Sequence, residues 1–280
     1  MKFGLWTANG ALNSKPVFEA FAIGVQKLGH KVIVNKEADI EVIWSVLWNG
    51  RMRKNEEIWN RCKKQGKPII VLEIGCFYRG RTWKMGVNGV NRDAYFANET
   101  CDNSRLKKLN LNNKEWKLND GKILIAGQHL KSGQWKNYDQ AISFVDNTIN
   151  EIRKFTDNAI IYRPHPRSKI HFDISKYQNV DIQQPIKNPN TYDDYNLHFE
   201  NISAVVNYSS NPGVIAAIEG IPTFVSQSSL AYEVSNPISK INYPDTPDKM
   251  QWLNNLSYTE WFLDEISTGY PILRLTSYWK

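Results

Sequence analysis

Two short stretches of this chain gather side chains able to grip an anion. In AIIYRPHPRSK, residues 159–169, an apolar run ends in Arg163, His165 and Arg167, set around Pro164 and Pro166. Further on, NYSSNPGVIAAIEGIP (207–222) places Ser209, Ser210 and Asn211 directly before Pro212 and Gly213. Proline suits the first turn of a helix and Gly220 suits its end, so Ser209–Asn211 sit at a helix start. Unpaired N–H groups there, with two hydroxyls beside them, form an anion site. Each charge-assisted hydrogen bond at such a site contributes about 1.5–3 kcal/mol. The prolines hold the histidine loop extended, which lowers the entropy lost on binding. His165 can donate to a phosphate oxygen or protonate a departing phosphate near neutral pH. A third loop, IAGQHLKSGQW, follows an apolar run and brings Gly127 and Gln128, with His129, Lys131 and Ser132 behind them.

Transfer of a group away from a phosphate also needs a base for the incoming hydroxyl. Glu73 follows apolar residues in IIVLEIG and is the first candidate, with Arg79 or Arg81 as a possible partner. Asp93 in VNRDAY is the second. No Asp-X-Asp metal pattern stands out, and Asp193-Asp194 reads as loop decoration, so no metal is expected. Fixed cations and helix-end N–H groups can stand in for one.

These loops need strands to carry them. KFGLW, KVIVN, IEVIWSVLW and IIVLEIG read as strands, separated by helices at KPVFEAFAIGVQKLGH and RKNEEIWNRCKKQG. The first of those helices shows an apolar face at Val17, Phe21, Val25 and Leu28, with Ser14 as its N-cap. Residues 98–120 carry six asparagines and few apolar residues and read as a linker. The rhythm then restarts with GKILIAG, YDQAISFVDNTINEIRKF, NAIIYRP, ISAVVNY, PGVIAAIEG and TFVS. Alternating strands and helices imply parallel sheets covered on both faces. The chain is therefore expected to be α/β, with two Rossmann-like domains whose parallel sheets face a central cleft. Ligands bind at the carboxyl edge of such sheets.

Charge is divided unevenly. The net charge is +7, yet residues 1–120 hold 21 Lys/Arg against 12 Asp/Glu, and residues 121–280 hold 14 against 16. Within 48–92 there are 11 basic residues against Glu56, Glu57 and Glu73. Arg51, Arg53, Arg79, Arg81, Trp83, Lys84 and Arg92 interleave with Trp48, Trp59, Phe77 and Tyr78. Cations for phosphates and rings for bases suit a nucleic-acid groove, and an anionic glycan could use the same surface. Hydrophobic residues make up 41%, a folded composition, and no run approaches the ~18 apolar residues of a membrane span. Cys62, Cys76 and Cys101 lack metal spacing and fit a reducing compartment, so a cytoplasmic protein is expected.

Taken in order, ILIAGQ, IYRPHP, VVNYSSNPGVIAAIEGIPTFV and WFLDEISTGYP resemble bacterial capsular-polysaccharide-type glycosyltransferases. These include the Kdo and sialic acid transferases with His-Pro and Ser-Ser motifs, and the match covers roughly residues 121–275. The resemblance implies a GT-B fold: an acceptor-side domain at 1–110, a donor domain at 111–257, and a C-terminal helix at 258–280 that crosses back to the first domain. It implies a UDP- or CMP-sugar as donor. Its phosphate would meet His165, Ser209 and Ser210, together with Gly127, Gln128, Arg163, Arg167, Asn211 and Gly213, and Glu219 would meet its ribose or base. The first half departs from those enzymes. VLEIGCFYRGRTWKMGVNGVNRDAYF instead resembles bacteriophage glycosyltransferase-like proteins, some of which modify hydroxymethylated pyrimidines in DNA. The function expected is sugar transfer to such bases. A capsule or surface-polysaccharide acceptor is the alternative, and a non-catalytic nucleotide-binding protein is another.

Overall fold

The structure, a computed structural model, describes residues 1–168, 172–191 and 193–279. Lys169, at the end of the proline-braced stretch, lies outside them. In chain order the first elements are β1 (Lys2–Leu5), α1 (Lys15–Lys27), β2 (Lys31–Val34), β3 (Ile40–Trp44), α2 (Asn55–Gln65), β4 (Ile69–Ile74), β5 (Thr82–Val87) and α3 (Ser104–Lys108). Next come β6 (Lys122–Ala126), α4 (Tyr138–Ile152), β7 (Ile160–Arg163), β8 (Val180–Ile182), β9 (Ile202–Asn207), α5 (Asn211–Ile218) and β10 (Thr223–Val225). The chain ends with α6 (Met250–Ser257), β11 (Glu260–Phe262), α7 (Leu263–Thr268) and α8 (Tyr270–Leu275). The chain divides into two compact units, one made of Met1–Leu109 with Asn254–Lys280, the other of Asn110–Leu253.

The second unit holds a sheet in the order β10-β9-β6-β7-β8, parallel at every pairing. Its strands are apolar runs because both faces are covered. On one face Val145, Ile149 and Ile152 of α4 pack against Ile123, Ile125, Ile160 and Tyr162. On the other, Ala216 and Ile221 pack against Leu124, Ile202 and Val205.

The first unit differs from a fully parallel expectation. Its sheet runs β11-β5-β4-β3-β1-β2, and β5 and β11 are antiparallel to their neighbours. TWKMGV is thus a strand and not a basic loop: Trp83, Met85 and Val87 alternate into the core that α1 covers. The C-terminal segment opens with a strand, β11, ahead of its helices, because Glu260–Phe262 pairs with the exposed edge of β5. Ser14 precedes α1, but its hydroxyl donates to the Ala11 carbonyl and does not cap the helix.

The stretch read as a linker contains α3, whose Arg105 is buried. Its guanidinium lies 3.8 Å over the Trp261 ring, donates to the Ser257 carbonyl at 2.9 Å and pairs with Glu265. Arg105 therefore fastens this stretch to the C-terminal segment within the first unit.

Candidate active site

In the second unit the carboxyl ends of β6, β7 and β9 carry the three loops singled out in the sequence. β6 lies between the other two, so its turn touches both. Gly127 donates its N–H to the Arg163 carbonyl at 2.8 Å, and a Cβ on Gly127 would stand 3.0 Å from the His165 nitrogen. Next to it, the Gln128 side-chain oxygen accepts from both the backbone N–H and the hydroxyl of Ser209, each at 3.1 Å. His165, Gln128 and Ser209–Asn211 are thereby gathered on one edge.

Their roles differ from one another. Ser209 is 1% exposed and spends its hydroxyl on Gln128, so it braces the loop. Ser210 is half-buried and accepts from Asn207 Nδ2 at 2.6 Å; it stands at the N-cap of α5 with Asn211 and Pro212 following. Gly213 fits here because a Cβ would meet Asn207 Oδ1 at 2.8 Å and Val225 at 2.9 Å. His165 accepts the Arg167 N–H on Nδ1 at 3.2 Å, which leaves Nε2 as its proton-bearing nitrogen when neutral.

His129 meets His165 edge-on, with ring centroids 5.2 Å apart. Burial first, then the charges of Arg167 and Lys131, push the His129 imidazole down to about 4. It is neutral at pH 7 and accepts the Lys131 N–H on Nδ1 at 3.1 Å.

Three of the residues expected here are engaged elsewhere. Arg163 is buried and its guanidinium is tied to the carbonyl and side chain of Asn196. Arg167 is exposed and paired with Asp193 at 3.3 Å, so Asp193 holds a cation and does not merely decorate a loop. Glu219 is at the opposite end of α5, on the order of 12 Å from Asn211 at 1.5 Å per residue, and pairs with Lys114. That end of the helix is covered by residues 114–117. Lys117 donates to the Gly220 carbonyl at 2.7 Å, Gly220 has φ +81°, and a Cβ there would strike the Glu115 carbonyl. Buried Lys249 caps the same end by donating to the Ala217 carbonyl at 2.7 Å.

The carboxyl edge of the first unit carries Glu73. Its two oxygens are both engaged: Oε2 accepts from the Ser45 hydroxyl and Oε1 from the Ile74 N–H at 2.8 Å. Neither Arg79 nor Arg81 is the partner expected from sequence; Arg81 instead lies 5.6 Å over the Tyr78 ring. Glu73 stands directly across from Lys84 on β5, and Lys84 directly across from Glu260 on β11. Facing residues of antiparallel strands share one side of the sheet, so these form a cross-strand row of alternating charge. Glu260 is fully buried and accepts from the N–H groups of Cys76 and Phe77 and the hydroxyl of Thr82, at 2.7, 3.2 and 2.9 Å.

Arg51, Arg53, Arg79 and Arg81 follow β3 or β4 and share this edge. Trp83 and Lys84 do not present themselves to a ligand, being 3% and 2% exposed within β5. Arg92 and Asp93 follow β5, which runs the other way, and so lie at the opposite edge from Glu73. Asp93 accepts the Asn91 N–H there.

Ser45 and Glu260 were not singled out in the sequence, and Lys84 was expected to meet an acceptor, whereas it stands between Glu73 and Glu260 in the sheet. The alternation of Thr82, Lys84 and Gly86 with Trp83, Met85 and Val87 is a strand signal, which the basic character of the region obscured.

No protein-family model matches the chain, and no curated protein matches it. Among solved structures, the β-Kdo 2,7-transferase KpsC of Thermosulfurimonas dismutans superposes with a TM-score of 0.51 at 14% identity, over 98% of this chain and 100% of that one. The fold is the two-domain Rossmann-like GT-B fold. A second KpsC structure from the same organism, the β-Kdo 2,4-transferase, gives a TM-score of 0.47 at 11% identity, over 92% of this chain and 90% of that one, and adds no weight. Among the described residues no group of three or more His, Cys, Asp and Glu could hold a metal ion, and no helix is long and apolar enough to cross a membrane.

Proposed function

We propose that this chain is a glycosyltransferase that takes a sugar from a nucleotide-sugar and passes it to a hydroxyl group. The observation that carries the reading is the gathering of His165, Gln128 and the Ser210–Asn211 helix start on one sheet edge. The likeness of fold to a Kdo transferase supports it, and of the UDP- and CMP-sugars expected from the sequence we favour one that carries an acidic sugar such as Kdo. In this reading the first-turn N–H groups of α5, the Ser210 hydroxyl and His165 Nε2 receive the donor phosphate. They neutralise the charge that builds there as the glycosidic bond breaks. Neutral His129 lies edge-on to the His165 ring without adding a second positive charge. Glu73 takes the proton of the acceptor hydroxyl, since it is a half-buried carboxylate whose orientation is already set by two hydrogen bonds.

The acceptor we favour is an anionic glycan. Arg51, Arg53, Arg79 and Arg81 supply charge at the Glu73 edge, while the ring of Trp83 is buried and cannot stack on a base. Hydroxymethylated pyrimidines in DNA are the second reading, favoured by the same four arginines.

Incubation with CMP-Kdo, CMP-sialic acid and UDP-glucose, each with an anionic oligosaccharide or hydroxymethylated DNA, tests the reading. Nucleotide release that depends on an acceptor, with the sugar found on that acceptor by mass spectrometry, is the expected result. Tight nucleotide binding with no release in any arm would mean a binding protein and not a transferase. Activity abolished by EDTA and restored by manganese would show that the phosphate needs a metal.

A further inference from the structure

Among the described residues eight besides glycine have positive φ, and six of these are asparagines, which tolerate that backbone. Ser45 is different. It has φ +63°, is 4% exposed, and sits directly after β3 at the edge that carries Glu73. Its N–H and its hydroxyl are both engaged: the N–H donates to the Leu72 carbonyl at 2.8 Å, the hydroxyl donates to Glu73 Oε2, and the same oxygen accepts the Leu47 N–H at 3.2 Å. Neighbouring β4 supplies the second restraint, since the Ile74 N–H holds Oε1. A carboxylate offers about four lone-pair positions. Two are taken here from fixed directions, so the remaining two point in fixed directions as well.

A serine forced into the left-handed region is disfavoured on its own, and glycine would adopt that backbone freely. What glycine lacks is the hydroxyl. We infer that Ser45 is a positioning residue for Glu73: the left-handed turn after β3 aims its hydroxyl at the carboxylate and so orients the oxygens that face an acceptor. The inference rests on the reading of Glu73 as the base. It extends that reading by assigning the orientation of the base to a residue that contacts no substrate.

Ser45→Gly separates orientation from fold, because it removes the hydroxyl and the strained backbone together, and Ser45→Ala removes the hydroxyl alone. The full chain is used throughout. With carboxyl-13C glutamate incorporated, the Glu73 resonance is identified by its absence from Glu73→Gln. It is expected to move in both Ser45 variants at pH 7, and an unmoved resonance overturns the contact. With the CMP-Kdo nucleotide-release assay, kcat is expected to fall about 10–100-fold in both variants while the donor KM is unchanged, as for a misplaced catalytic group. The thermal midpoint of Ser45→Gly should match that of the wild type. Turnover near the wild-type level in Ser45→Gly, alongside a Glu73→Gln variant that is inactive, overturns the inference and leaves the base intact. Near-normal turnover in Glu73→Gln removes the base itself, and the positioning role with it.

Discussion

The two units reach a similar sheet edge by different routes. In the second unit every strand is parallel, and the residues on the edge come from three loops that each follow directly on a buried strand. In the first unit the edge is completed by an antiparallel pair, β5 and β11, and the charge row across it joins Glu73 and Lys84 to Glu260 near the other end of the chain. The second unit orients polar groups mainly with neutral partners such as Gln128 and Asn207. The first uses buried charges. A neutral brace that is lost leaves an unpaired donor, whereas a buried charge that is lost leaves an unpaired ion, which is costlier.

The largest test of that contrast is Glu260→Ala. It strips acceptors from two backbone N–H groups and the Thr82 hydroxyl and removes one of the two carboxylates that face Lys84, leaving Glu73 across from it. We expect a loss of about 3–5 kcal/mol in denaturant unfolding. A loss under about 1 kcal/mol would place the two edges on the same footing. The counterpart in the second unit is Gln128→Ala, which removes the oxygen that accepts from both the Ser209 N–H and its hydroxyl. It should cost about 1–3 kcal/mol and, on the reading above, weaken donor binding.

A smaller effect concerns pH. His129 is held at about 4 in the folded protein against 6.5 in an unfolded chain, so the unfolded state binds more protons between those values. Stability should therefore be fully present above about pH 6.5 and decline as pH falls toward 4, by on the order of 1–2 kcal/mol from this group. His129→Gln should flatten that part of the stability–pH curve, and an unchanged slope would assign the decline to other groups. Least of all, Arg81→Ala should change stability by less than about 0.5 kcal/mol, its side chain being exposed over Tyr78. Any effect should be on acceptor KM.

How far each region could be read in advance follows from the same contrast. Ser209, Ser210, Asn211 and Pro212 announce a helix start in four consecutive residues, and RPHP announces a stiff loop, because turn and cap chemistry is local. The alternation of strands and helices was equally local, and it located β1–β4, β6, β7, β9 and β10. Glu219 misled because its nearness in sequence to Asn211 hides the length of the helix between them. Arg92, Asp93, Trp83 and Lys84 misled because strand direction decides which edge or face a residue occupies, and β5 is antiparallel for reasons that lie in its pairing with β4 and β11. No local pattern specifies a hydrogen bond such as Thr82 to Glu260, whose partners are 178 positions apart. The left-handed backbone of Ser45 has no signal in residue type either, since serine does not favour it.

The return of Asn254–Lys280 to the first unit sets an order for synthesis. A ribosome moving from the amino end finishes Met1–Leu109 early, yet β5 then lacks its edge partner and the amides of Cys76 and Phe77 lack their carboxylate. The strand pairings described for Asn110–Leu253 all lie within that stretch, so its sheet can form while still tethered. The part that begins first is thus completed last, and a nascent chain stalled shortly before Glu260 would expose an open strand edge to chaperones.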